Sequence, residues 1–276
     1  MNGKRSFLQT IAAYPHIAWS VLFIIAPLLF VIYYTFTDGE GQFTIQNIVN
    51  LANPNYLSIF ARSICFAIVA TFICLLIAYP LAYFISRMGA GRQRILLLLV
   101  MLPMWMNLLI RTYSWMNILE NNGLINTLLS KIGVGPFQML GNSGAVVLGM
   151  VYNFLPYMVL PICTVMSKID IRLIEAAGDL GCNSFHTMTK VIMPLSVSGI
   201  ISGITMVFVP SVSTFYISQK MGGGNFDLIG DTIERQFMLN YDYNIGASLS
   251  FVLMILIFIS LAVMNKFGDE EGGIVV

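Results

Sequence analysis

The sequence predicts an all-α integral membrane protein with six transmembrane helices. Of its 276 residues, 57% are hydrophobic and 10% are charged, and the mean hydropathy is +0.81. A water-facing surface needs about a quarter or more of its residues charged, so 14 basic and 13 acidic side chains are too few. Six separate apolar stretches are each long enough to cross a hydrocarbon layer of about 30 Å as a helix.

The predicted spans are 17–36, 59–85, 95–119, 143–166, 195–218 and 246–265. The first is too long for a secretory signal, and it ends in Tyr33-Tyr34-Thr35-Phe36 without a small-residue cleavage pattern, so we expect it to remain in the mature chain. Pro156 and Pro161 can kink the fourth span, and Pro194 can open the fifth. The fifth also contains the small-residue face Gly199-Ile-Ile-Ser202-Gly203, which favours tight packing within the chain or against a second membrane subunit.

Lysine and arginine are distributed unequally between the two predicted sides of the membrane. Nine lie at the chain ends and in the second and fourth loops: Lys4, Arg5, Arg87, Arg92, Arg94, Lys168, Arg172, Lys190 and Lys266. Three lie in the remaining loops: Lys131, Lys220 and Arg235. Basic flanks resist translocation, so both termini are predicted to be cytoplasmic. Arg62 and Arg111 lie near or within spans.

The loops and the chemistry of the chain limit its possible functions. The longest loops, 37–58, 120–142, 167–194 and 219–245, each have fewer than 30 residues, so residues 1–276 are predicted to form one transmembrane domain. A net charge of +1 without a basic block argues against nucleic-acid binding. The spans contain no Asp or Glu, and no HExxH, GxSxG or phosphate-binding motif occurs, so the chain is not predicted to be an enzyme.

The cysteines are the remaining residues with reactive side chains. They lie singly at wide spacings, without a histidine in a ligand pattern: Cys65, Cys74, Cys163 and Cys182. We interpret them as small apolar residues and expect no disulfide, metal site or cofactor.

The fourth loop, 167–194, has the clearest local pattern outside the spans. Apolar residues recur at helical spacing from Ile171 to Leu180, and Gly181 supplies a stop. Asn183 or Ser184 can cap a second short helix. The pattern predicts a helix, a glycine turn and a second helix. It is compatible with an amphipathic connector on the inner leaflet or with a docking surface for another protein.

The spacing of this loop resembles the cytoplasmic signature of the inner-membrane permeases of ABC importers. That signature is EAA, three residues, Gly, nine residues and I-x-L-P. The chain has Glu175-Ala176-Ala177, then Gly181, then Val191-Ile192-Met193-Pro194, with two apolar replacements. The resemblance implies a type I ABC-importer permease-like fold. It also implies that Glu175, Ala176, Ala177 and Gly181 couple the chain to a cytoplasmic ATPase.

Residues 102–113, 175–181 and 215–230 resemble more narrowly the spermidine/putrescine importer permeases, specifically the first of their two permease subunits. The resemblance implies polyamine transport in the plasma (inner) membrane of a bacterium. The implied partners are a second homologous permease, two cytoplasmic ATPase subunits and an extracytoplasmic polyamine-binding protein. ATP hydrolysis then belongs to a partner.

Uncharged polar and aromatic side chains form the predicted substrate path: Trp105, Asn107, Tyr113, Tyr152, Asn153 and Tyr216. Aromatic faces attract ammonium groups, and amide oxygens accept their hydrogen bonds. Asn107 and Arg111 are four residues apart and are expected to share a helical face. Alternatively, Trp105 and Tyr113 are interfacial anchors. Because a fixed cation repels a cationic substrate, we favour a structural role for Arg111, paired with a carbonyl or another subunit.

Two questions stay open at the level of sequence. The acidic residues of the fifth loop, Asp227, Asp231, Glu234 and Asp242, are compatible with a rim that attracts polyamines or a binding protein, or with an ordinary solvated loop. The alternatives to a polyamine permease are an ABC-importer permease for another small solute or ion, an ion-coupled secondary carrier and a non-transporting scaffold.

Overall fold

The structure, a computed structural model, describes residues 15–16 and 18–272. Within this range the chain is helical, apart from turns, loops and one isolated antiparallel bridge between Thr37 and Phe43. Five helices are long and apolar enough to cross a membrane, and a bent pair of helices makes a sixth span. The predicted all-α membrane class is confirmed. The predicted inner-side cations Lys4 and Arg5 lie outside the described residues.

The helices follow one another in the order α1 (Ala18–Thr35), α2 (Gln46–Asn50), α3 (Pro54–Ser86), α4 (Ala90–Trp105), α5 (Leu108–Leu119), α6 (Leu124–Lys131), α7 (Ser143–Met166), α8 (Ile171–Asp179), α9 (Ser184–Val212), α10 (Tyr216–Met221), α11 (Ile229–Met238) and α12 (Tyr243–Gly272). Helices α1, α3, α7, α9 and α12 correspond to five predicted spans. The bent pair corresponds to the third.

The third predicted span, 95–119, is not one helix. Helix α4 ends at Trp105, and the helical segment Leu108–Lys131 leaves it at an angle of 93°. Pro103 lacks a backbone N–H, and Met106 is extended with a ψ of 146°. The side chain of Asn107 then caps α5. A proline shortly before a capping asparagine is the local cause of the break.

The fifth span also differs from its predicted bounds at its start. Asn183 caps α9, and a π-helical turn, Met188–Ile192, carries the helix through Pro194. A π turn holds one extra residue, which accommodates the proline ring. The predicted second short helix and the fifth span are therefore one continuous helix, and Pro194 does not open a separate one.

Helix α9 ends at Val212 instead of residue 218. The backbone of Gly230 lies against the end of the helix, where a Cβ atom would be 2.6 Å from the Thr214 carbonyl oxygen. The chain turns here and begins the separate helix α10. Tyr216 therefore lies on α10 and outside the span.

Contacts between residues divide the chain into two compact units, and the first comprises Met1–Leu57 and Thr232–Ile255. In its described part, two asparagine side chains donate hydrogen bonds to carbonyl groups in the last turn of α1 and just after it. Asn47 donates to the Thr37 oxygen at 2.8 Å, and Asn244 donates to the Tyr34 oxygen at 3.1 Å. These bonds satisfy carbonyls that have no partner within the helix.

The second unit comprises Ser58–Asp231 and Leu256–Val276, and α3, α7 and α9 supply much of its core. Small residues at four-residue intervals along α3 are fully buried: Ala70, Cys74, Ala78 and Ala82. A Cβ atom on Gly199 of α9 would be 3.0 Å from the Pro161 oxygen of α7, and one on Gly203 would be 2.6 Å from the Met158 sulfur. The two glycines of the small-residue face therefore pack within the chain.

Candidate functional site

The break between α4 and α5 positions two of the predicted path residues. Trp105 ends α4 and is 75% exposed. Asn107 is the N-cap of α5, where its side-chain oxygen accepts a hydrogen bond from the Leu109 N–H at 2.8 Å. Asn107 therefore begins α5 as its cap and does not lie within a continuous third span. The Arg111 N–H donates to the Asn107 carbonyl oxygen at 3.1 Å, so the two residues remain one helical turn apart.

Arg111 connects the two arms of the break. Its Nη1 donates to the Pro103 carbonyl oxygen at 2.7 Å, and the residue is only 8% exposed. This carbonyl lies in the last turn of α4 and also accepts a hydrogen bond from the Met106 N–H at 3.2 Å. The contact is the carbonyl pairing that the structural interpretation of Arg111 expects.

Tyr113 of α5 and Tyr216 of α10 come together in the second unit. Their ring centroids are 6.5 Å apart, with the rings at 80°. The Nζ atom of Lys220 lies 5.8 Å from the Tyr113 centroid and 5.9 Å from the Tyr216 centroid. We call Tyr113, Tyr216 and Lys220 the Tyr–Tyr–Lys cluster.

The protonation state of Tyr216 follows from its surroundings. Desolvation raises the pKa of its phenol, and the neighbouring Tyr113 side chain raises this pKa further. The hydroxyl is therefore neutral at physiological pH. The cluster consists of two phenols facing one ammonium group.

Lys220 is not among the predicted path residues. Tyr216 and Lys220 are four residues apart, a spacing that places both on one face of α10, and this was the signal available in the sequence. Nothing local connects them with Tyr113, because α5 and α10 are distant along the chain.

Tyr152 and Asn153 of α7 lie elsewhere. The Tyr152 ring meets Trp115 edge to face, with centroids 5.2 Å apart. Asn153 is 3% exposed; its Nδ2 donates to the Gly149 oxygen at 2.7 Å, while its Oδ1 is buried without a hydrogen-bond partner. The six predicted path residues thus occupy three places: the break, the Tyr–Tyr–Lys cluster and α7.

The fourth loop has the predicted glycine turn. Gly181 has a φ of +81°. The Cys182 N–H donates to the Ala177 oxygen at 3.0 Å, and the Gly181 N–H donates to the Gly178 oxygen at 2.9 Å. These two bonds form a Schellman motif, which ends α8 and requires a left-handed residue at position 181.

The loop exposes an apolar surface beside Glu175. Glu175 and Ala176 are exposed, as are Leu180 at 85% and Phe185 at 72%. Ala177 is only 6% exposed and packs inward. The expectation that both alanines face another surface therefore needs correction, because only Ala176 is accessible.

Side chains from the end of α3 and the start of α4 donate hydrogen bonds to the start of this loop. Arg87, after the end of α3, donates through Nη1 to the Ile169 oxygen at 3.1 Å. Gln93 of α4 donates to the Ser167 hydroxyl at 2.6 Å. These contacts join the start of the loop to the α3–α4 turn.

Two of the fifth-loop acids have local structural partners. Asp231 is 2% exposed and accepts hydrogen bonds from the Ser218 hydroxyl at 2.9 Å and from the Leu228 N–H at 2.8 Å. Asp242 accepts from the Ile245 N–H at 3.0 Å. These contacts favour a structural role for both residues over an exposed acidic rim.

Known proteins align with most of this sequence. The chain is 37% identical over 247 residues to the spermidine/putrescine transport system permease protein PotB of Haemophilus influenzae, across 87% of this chain and 86% of that protein. The chain belongs to the spermidine/putrescine permease family of ABC transporters. The permease is also 35% identical over 255 residues to PotB of Escherichia coli, across 90% of its own length and 93% of that protein.

Wider comparisons agree with an ABC permease. The permease is 27% identical over 254 residues to the inner membrane ABC transporter permease protein YdcU of Escherichia coli, across 86% of its length and 81% of that protein. Its fold is similar to a chain of a bacterial alginate ABC transporter, with a TM-score of 0.79, 14% identity and coverage of 96% and 95% of the two chains. No model of a known protein family matches the sequence of the permease.

Proposed function

We propose that this permease forms part of the membrane passage for spermidine and putrescine in an ABC importer. The observation that carries the proposal is 34–37% sequence identity to PotB proteins from several bacteria over most of the chain. The five continuous membrane spans, Ala18–Thr35, Pro54–Ser86, Ser143–Met166, Ser184–Val212 and Tyr243–Met264, contain no Asp or Glu. Their aromatic, amide and hydroxyl groups are therefore what they offer to a polycation.

In the proposed complex, the permease works with a second homologous permease, two cytoplasmic ATPase subunits and an extracytoplasmic polyamine-binding protein. ATP hydrolysis belongs to the ATPase subunits, and this chain is not an enzyme. Glu175, Ala176 and Gly181 lie at the ATPase contact. Ala177 is buried and packs beneath the surface that makes this contact. The exposed apolar residues of the loop favour this docking role over a passive connector.

Coupling depends on the continuity of α9. When ATP closes the ATPase pair, the loop around Glu175 receives the movement. Because α9 runs without interruption from Ser184 to Val212, displacement of its cytoplasmic end moves its membrane part as well. The spans then change which side of the membrane the passage faces. Trp105, Asn107, Tyr113, Tyr152, Asn153 and Tyr216 remain the proposed path residues.

Uptake competition tests the substrate class. Vesicles containing the complete importer should accumulate labelled spermidine when ATP and the binding protein are present. Excess unlabelled putrescine or spermidine should suppress accumulation, while an amino acid or a sugar should not. Competition by an unrelated solute alone would favour another ABC substrate. Uptake that collapses with an ion gradient while ATP is maintained would favour a secondary carrier.

The proposed membrane orientation places both termini in the cytoplasm of the bacterial cell. Single cysteines at Gly91→Cys and Asn225→Cys, in a background without the four native cysteines, test it, since both positions are exposed. An impermeant thiol reagent should label only Asn225→Cys in intact cells and both after permeabilisation. Labelling of both in intact cells would contradict this topology.

A further inference from the structure

The Tyr–Tyr–Lys cluster already holds a primary ammonium group. Lys220 is partly buried, and its Nζ is within about 6 Å of both ring centroids, the range in which an aromatic ring attracts a cation. Tyr113 is 46% exposed, so its ring is accessible on this chain. Tyr216 is neutral, so its phenol offers a dipole and a ring face but no fixed negative charge.

The side chain of Lys220 has the same chemical groups as the ends of the proposed substrates. A lysine side chain is a chain of four methylene groups that ends in an ammonium group, and the aminobutyl ends of putrescine and spermidine have the same composition. The two phenols bind an ammonium group through ring faces and hydroxyl oxygens. They therefore suit the end of a polyamine as well as they suit Lys220.

Lys220 and a substrate ammonium group cannot occupy the cluster together. Two like charges in contact repel strongly. The Asp231 carboxylate contacts α10 at Ser218, but it is buried and accepts hydrogen bonds from the Ser218 hydroxyl and the Leu228 N–H. The side chain of Lys220 is flexible and anchored on a short helix, so it can leave the rings and extend into water.

We infer that Lys220 is a tethered competitor that occupies an alkylammonium-binding site formed by Tyr113 and Tyr216, and that a polyamine displaces it in transit. The inference rests on the proposed function and predicts that polyamine binding within the membrane subunit is weak. Each entering amine replaces an amine that is already bound. The site lowers the barrier to passage without retaining the solute.

Putrescine binding to the permease–ATPase complex without its binding protein tests this inference by calorimetry. Lys220→Met removes the ammonium group and keeps an unbranched side chain, and it should raise the affinity for putrescine about tenfold or more. Lys220→Arg keeps the charge and should bind as weakly as the native complex. Adding Tyr113→Leu to Lys220→Met should abolish the gain.

Unchanged binding in Lys220→Met, or a gain that survives Tyr113→Leu, would overturn the inference. Uptake by the native importer distinguishes failure of the tethered-competitor inference from failure of the proposed function. If the native importer accumulates spermidine and Lys220→Met binds no better, only the tethered competitor is wrong. If the native importer accumulates no polyamine at all, the proposed function is wrong.

Discussion

Gly181→Val is expected to abolish transport while the permease remains inserted in the membrane. Gly181 has a φ of +81° at the end of α8, and two backbone hydrogen bonds of the turn depend on this geometry. Left-handed backbone costs an L-residue about 1–2 kcal/mol, and a β-branched side chain resists it further. The turn should open, so α8 and the start of α9 no longer present one surface to the ATPase.

Two variants of the same loop are matched controls. Gly178→Ala adds a methyl group to α8 at a position with nothing within 4 Å, and it should transport normally. Gly181→Asn should recover much of the activity, because asparagine tolerates left-handed geometry. The measurements are spermidine uptake and recovery of the ATPase with the affinity-purified permease. Normal uptake and normal ATPase recovery in Gly181→Val would contradict the coupling role of this turn.

Gly199→Leu is expected to destabilise the permease strongly. A Cβ atom at this position would be 3.0 Å from the Pro161 carbonyl oxygen and 3.0 Å from a Val165 methyl carbon on α7. The carbonyl belongs to the backbone, so only separation of the two helices can accommodate a larger side chain. Overpacking of this kind costs about 1–3 kcal/mol.

Thermal unfolding of the solubilised permease measures this cost, with Ser202→Leu as the control. Ser202 belongs to the same helix and the same small-residue face, but it is exposed. Gly199→Leu should lower Tm by several degrees, and Ser202→Leu should leave it nearly unchanged. Equal Tm values for Gly199→Leu and the native permease would show that the α7–α9 contact is looser than the structure describes.

The sequence predicted the features that depend on local chemistry. A membrane helix satisfies its own backbone hydrogen bonds, so apolar length alone locates most of the spans. Gly181 and Asn183 could be assigned to a turn and a cap because their conformational preferences act within a few residues. The pairing of Arg111 with a carbonyl was also favoured correctly, since an unpaired buried cation is costly.

Other features required knowledge of neighbouring segments. The break at Asn107 was missed because apolar length continues through it, although Pro103 and the capping asparagine were visible in the sequence. The continuity of α9 through Pro194 was missed because a π turn has no simple sequence signal. Ala176 and Ala177 have the same side chain, and only packing distinguishes the exposed residue from the buried one.

The sequence by itself determined that this chain is a helical membrane protein whose fourth loop contains a glycine turn between two helical segments. Those properties follow from composition, helix length and the spacing of a few residues. Only the tertiary structure brought Tyr113 together with Tyr216 and Lys220, and only it showed that Gly199 and Gly203 pack against α7. These contacts join helices that are distant along the chain, so their formation depends on the packing of whole segments and has no local signature.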